Sequence, residues 1–156
     1  MSVLIVVDSV YGNTERLARV IGDELARTYR VRIARPSSLE RLPDDANLIV
    51  IGAPTHRHGV PASISDLLHA SPAGSMPGTP AAAFDTRYRI PRLLSGASSD
   101  PVARRLRRLG CRLVLPPESF FVSGREGPLE VGEVERAAVW AARLCSAVRR
   151  LPALAR

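Results

Sequence analysis

The sequence predicts an α/β domain of three layers, a doubly wound parallel sheet of five strands with helices on both faces. Two observations carry this. Short apolar runs alternate with amphipathic segments along the chain, which is the pattern of repeated strand–helix–strand units. The runs at 3–7 and 48–51 are apolar at every position rather than every second one, as strands covered on both faces require. A length of 156 residues suits one such domain, expected to span 1–156 with no linker and no internal repeat.

The elements follow in order. Val3, Leu4, Ile5, Val6 and Val7 form the first strand, and Ser9-Val10-Tyr11-Gly12-Asn13-Thr14 is the turn after it. Leu17, Val20, Ile21 and Leu25 then recur on one helical face. Residues 29–34 read as the second strand, and the polar stretch 37–45 has room for one short helix. The third strand, 48–51, stops at Gly52-Ala53-Pro54-Thr55. Pro61 is placed as the first residue of a helix reaching 69. The stretch 71–80, rich in Pro, Gly and Ser, is a loop, and 81–84 is a short fourth strand that stops at Asp85-Thr86-Arg87. Asp100 before Pro101 reads as an N-cap and first-turn pair for a helix ending near Gly110. Residues 112–115 and 119–122 form one strand interrupted by Pro116-Pro117. The last helix spans 132–150, with Val134, Ala138, Ala141, Leu144 and Val148 inward and Trp140 in the core.

Composition narrows the function classes. All 22 basic residues are arginine and the net charge is +7, a pattern expected of a GC-rich coding bias that leaves an arginine-coated surface. Arg104, Arg105, Arg107 and Arg108 make one outward stripe, which is a solvated face or a docking patch for an acidic partner. A nucleic-acid role would rest on charge alone and is not expected. No apolar run approaches a bilayer span, and the first residues lack the features of a signal peptide, so the expected location is the cytoplasm. Cys111 and Cys145 fit neither metal-ligand spacing nor a C-x5-R phosphate loop. His56 and His58 have only His69 as a further histidine, and no metal site is expected.

The turn at 9–14 carries the chemistry. Backbone N–H groups and hydroxyls converging at a helix N-terminus hold a phosphate dianion without a cationic side chain. Ser9 and Thr14 supply hydroxyls, Asn13 an amide, and Gly12 lets the backbone curl inward. The turn lacks the lysine of a nucleoside-triphosphatase loop, and it is not G-x-G-x-x-G. A phosphoacceptor receiver domain is excluded as well: Ala53-Pro54 stands where its aspartate would be, and the chain has no lysine.

Val7-Asp8-Ser9-Val10-Tyr11-Gly12-Asn13-Thr14-Glu15 resembles the opening of flavodoxins and flavodoxin-like proteins, whose phosphate loop has the form [ST]-x-[TY]-G-N-T. The likeness continues in Ile51-Gly52-Ala53-Pro54-Thr55, Phe84-Asp85-Thr86-Arg87, Pro116-Pro117-Glu118-Ser119-Phe120 and Gly127-Pro128-Leu129. The last three segments are similar to a bacterial branch of flavodoxin family proteins. The resemblance implies strand order 2-1-3-4-5 with FMN at the carboxyl edge. It places Ser9, Val10, Tyr11, Gly12, Asn13 and Thr14 around the phosphate. Pro54, Thr55, His56, Arg57, His58 and Gly59 would cover one face of the flavin ring, with Asp85, Thr86, Arg87 and Tyr88 on its pyrimidine side. The implied function is FMN-dependent electron transfer to a redox partner protein or a small quinone or flavin substrate. An NAD(P)H-dependent flavin or quinone reductase and a cofactor-free interaction module are the alternatives, and no second nucleotide motif is present.

Two departures from that family accompany the likeness. Aromatic residues are only 4% of the chain, leaving Tyr88 as the loop aromatic placed to stack on the ring. Arg57, Arg87 and Arg89 fall on ring-side loops with His56 and His58, so cations are expected beside the ring, where they would favour its reduced, anionic form. The two histidines are also candidate proton donors.

Overall fold

The computed structural model describes residues 1–55 and 59–152. Strand β1 (Ser2–Val7) is flanked by β2 (Arg30–Ala34) on one side and the central strand β3 (Leu48–Pro54) on the other, each parallel to it. Beyond β3 comes β4 (Pro80–Tyr88), and then β5 (Arg112–Leu113), giving the order 2-1-3-4-5. A sixth strand, β6 (Glu118–Val122), pairs with the far half of β4. The interrupted last strand is thus real: β5 pairs Pro80–Ala81, Pro116-Pro117 break the ladder, and β6 resumes it from Phe84. Proline cannot donate to a ladder, which is why the gap falls there.

Helices α1 (Asn13–Ala26) and α5 (Glu133–Arg149) cover one face of the sheet; α2 (Ala62–Ala70) and α4 (Ser99–Arg108) cover the other. Alternate strand residues divide between the two layers. Val3, Ile5 and Val7 face α1 and α5, whereas Leu4 and Val6 face α2 and α4. Every residue from Val3 to Val7 is buried in consequence. Burying one such aliphatic side chain stabilises the fold by about 1.5–3 kcal/mol, so this double coverage fixes the register of the central strands.

Three aromatic rings are spent beneath the sheet. Phe84, Phe120 and Trp140 meet edge to face, with centroids 5.9–6.1 Å apart. The Phe84 ring lies across Gly52, its partner in the β3–β4 register. A Cβ at Gly52 would stand 2.3 Å from Phe84 Cζ, so only glycine admits the ring.

Several expectations shift. The fourth strand runs to Tyr88, not to 84, because β6 supplies a partner for each residue from Phe84 to Tyr88. Asp85 and Thr86 are therefore strand residues. Pro61 is the residue just before α2 rather than its first. Asp100 is inside α4, bonded at 3.0 Å to Arg92 of the short α3 (Arg92–Ser95), and does not cap the helix. On α5 the buried position is Ala137, with Ala138 half-buried; Trp140 is in the core as expected. On α4, Arg105 turns away from the stripe to donate to the Ser65 hydroxyl, leaving Arg104, Arg107 and Arg108 exposed.

Candidate functional site

Because the strands are parallel, the carboxyl ends of β1, β3 and β4 open on one edge of the sheet, where ligands bind in such folds. Register makes these ends neighbours: Val7 pairs with Gly52, and Pro54 pairs with Thr86. The ladder extends further through Thr55 N–H, which donates to Thr86 O at 2.8 Å. A groove of about 1100 Å³ lies over these ends. Small-molecule sites span about 300–1,000 Å³, so the groove has room for a nucleotide-sized ligand.

At one end the groove meets the turn between β1 and α1. Gly12 has φ 88°, the left-handed conformation that brings the chain into the helix. Its N–H donates to Ser9 Oγ at 3.0 Å, which uses a lone pair of that hydroxyl and leaves its proton free to donate. Among the described residues, no side chain caps α1. The first intrahelical bond is donated by Arg16 N–H to Gly12 O, so the amides of Asn13, Thr14 and Glu15 precede the ladder, as in any first turn. With the helix dipole they make a positive, uncharged cradle.

The cradle is held from two sides. Thr14 Oγ1 and Thr86 Oγ1 are 2.8 Å apart and buried. Asn13 Nδ2 donates at 3.1 Å to Glu126 O, on the loop after β6. Both contacts link the first turn to segments more than 70 residues away.

Behind β4 lies a second polar cluster. Asp85 is fully buried, and its Oδ2 accepts from the Ser99 N–H at 2.8 Å and from the Ser99 hydroxyl at 2.7 Å. This long-range carboxyl therefore occupies the N-terminus of α4, the place the sequence reserves for Asp100. Burial raises the Asp85 carboxyl above its ordinary value; Ser99, Ser119 and Arg87 oppose that only in part. Among the described residues, Asp85 Oδ1, Ser119 Oγ and Arg87 Nε are buried without a hydrogen-bond partner. Ser98 fastens the neighbouring loop, donating from N–H to Thr55 Oγ1 and from its hydroxyl to Pro54 O, both at 3.0 Å.

The groove wall contains Ser9, Val10, Tyr11, Asn13, Thr14, Pro54, Thr55, Gly59, Thr86, Arg87 and Tyr88, so the structure brings these expected residues to one place. Gly12 shapes the turn without lining the groove, and Asp85 faces α4 instead. His56, Arg57 and His58 lie outside the described residues.

The expected cations are arranged differently. Arg87 is 9% exposed, and its Nη1 donates to Ile90 O at 2.9 Å and to Ser95 Oγ at 3.0 Å. It lines the groove as an anchored wall rather than as a mobile charge. Arg89 is not at the groove: it pairs with Glu130 at 2.9 Å and stacks 4.1 Å above the Phe121 ring. Ion pairing and cation–π contact hold it there.

Sequence reasoning missed the wall formed by Val60, Pro61, Ala62, Ser65 and Asp66, and the contribution of Val122 and Arg125. The Gly127-Pro128-Leu129 segment was the available signal for Arg125, since it marks the loop that Asn13 touches. The start of α2 carries no comparable chemical signature.

Neither a protein-family model nor a curated protein sequence matches the chain. Solved structures do. Oxidised flavodoxin 1 from Bacillus cereus superposes with a TM-score of 0.79 at 21% identity, covering 97% of this chain and 100% of that one. A flavodoxin from the domain Archaea gives 0.74 at 16% identity, covering 96% and 100%. The flavodoxin WrbA-like protein from Agrobacterium tumefaciens gives 0.72 at 17% identity, covering 96% and 98%. The fold is that of the flavodoxins.

Proposed function

We propose that this chain binds FMN in the groove, phosphate in the cradle, and serves as a redox protein that exchanges electrons with a partner protein or a small quinone. The uncapped first turn of α1 beside the free hydroxyl proton of Ser9 and the Thr14 hydroxyl paired with Thr86 carries this reading. Those donors suit a phosphate ester: amides and hydroxyls supply hydrogen bonds to several oxygens at once, and the helix dipole offsets the charge. FMN, when bound, would supply one- and two-electron chemistry that no side chain here provides.

The residues divide the work. Ser9, Asn13 and Thr14 would hold the phosphate; Pro54, Thr55 and Thr86 would form the floor under the ring. Tyr11 and Tyr88 are about 40% exposed at the rim, where a ring face or edge can meet them. Arg87 and Arg125 contribute positive charge to the wall, and Asp66 opposes it. His56 and His58 remain proposed as ring-side proton donors. Likeness to known flavodoxins supports the reading at the level of fold.

One observation favours the cofactor-free alternative. Phe84, Phe120 and Trp140 are all committed to the core, so aromatic contact with a ring rests on Tyr11 and Tyr88. Calorimetric titration of the purified protein with FMN and with riboflavin tests both readings. Binding of FMN, weakened by at least tenfold when the phosphate is absent, is the outcome expected of a phosphate cradle. No FMN binding would leave a scaffold that acts through its surface.

A further inference from the structure

We propose that a second cavity, beside the cradle, receives the additional phosphoryl group of a flavin dinucleotide, so that this chain accepts FAD as well as FMN. The inference rests on the flavin reading above and extends it to the chemical class of cofactor.

The cavity has a volume of about 320 Å³ and shares Ser9 with the groove. Sheet order gives the two spaces their relation. The groove lies over β1, β3 and β4, and the cavity lies over β1 and the end of β2 on the opposite side of the same turn. Ser9 lines both spaces, so a phosphate held at Ser9 would border the cavity as well as the groove.

The lining matches such a group. Arg19 and Arg35 converge on Glu15 at 2.9 Å and 3.7 Å, leaving one net positive charge for the trio. Guanidinium donors recognise phosphoryl oxygens in bidentate fashion. The two arginine side chains are 70% and 74% exposed, so they are free to turn to a ligand. Ile33, 40% exposed, gives the cavity an apolar wall for the flat face of a purine. As exposed ion pairs the two arginines contribute little to stability, and replacing them reports on binding rather than folding.

Calorimetry with FAD and FMN against the wild type, Arg19→Ala/Arg35→Ala and Glu15→Gln tests this. FAD is expected to bind the wild type at least as tightly as FMN. The double variant is expected to weaken FAD by about fivefold or more relative to any change in FMN, and Glu15→Gln to strengthen FAD relative to FMN by removing a like charge. FAD binding weaker than FMN binding, or a double variant that affects the two equally, overturns the proposal while leaving the flavin reading intact. Absence of FMN binding overturns both.

Discussion

Thr14 Oγ1 stands 2.8 Å from Thr86 Oγ1, with the two side chains 1% and 5% exposed, so the first turn of α1 is fastened to the end of β4 by a single buried hydrogen bond. The pair has a direction available to it. With Thr86 donating, Thr14 keeps its own proton for a ligand in the cradle.

Replacing Thr86 by Val removes that donor while keeping the shape. The variant is expected to lose about 1 kcal/mol of stability and to bind FMN about five- to tenfold more weakly, because Thr14 loses the partner that orients its hydroxyl. Denaturant unfolding and calorimetry measure the two effects separately. Unchanged affinity in a folded variant would remove Thr14 from the phosphate shell.

Asp85 makes stability depend on pH in an unusual direction. Its buried carboxyl keeps a proton to higher pH than the ordinary value of 3.8, so the folded chain binds more protons than the unfolded one over that window. Stability contributed by Asp85 is complete below its unfolded value and is lost as pH rises through the raised one. Asp85→Asn keeps the acceptor for Ser99 and adds an N–H donor on the side of Ser119. Its stability relative to wild type is expected to increase as pH is raised from 4 to 8, measured by urea unfolding at several pH values; a constant or falling difference would show that the carboxyl is ionised throughout.

Gly52→Ala brings a methyl within 2.3 Å of the Phe84 ring. Displacing a ring locked against Phe120 and Trp140 is expected to cost about 1–3 kcal/mol or more. Near-ultraviolet circular dichroism should change with it, since the aromatic cluster must move.

The two thiols should differ in reactivity. Cys111 is 6% exposed and burial pushes its thiol up to about 11, whereas Cys145 is half-buried on α5. One thiol per native chain is expected to react with a disulfide reagent, and the second only after unfolding. Cys145→Ala should abolish the native reaction.

Much of the fold is legible because its signals are local. Val3 to Val7 must be covered on both faces whatever surrounds them, and Gly12 with Asn13 marks the turn through backbone geometry alone. What escaped depends on partners far along the chain. Asp85 reads as a loop residue until β6 pairs with it and Ser99 meets its carboxyl, 14 residues on. Arg89 looks like a ring-side cation until Glu130, 41 residues away, claims it. The wall from Val60 to Asp66 is a matter of where α2 sits, and nothing in those side chains announces it.

The packing of Trp140 has a practical consequence. It is the one tryptophan of the sequence, 3% exposed and edge-on to Phe84 and Phe120 beneath the groove. Its emission should be blue-shifted in the native protein and move to the red on unfolding. A flavin seated above the sheet absorbs at those wavelengths, so occupancy should dim the indole. The chain carries its own optical gauge of loading, readable without any attached dye.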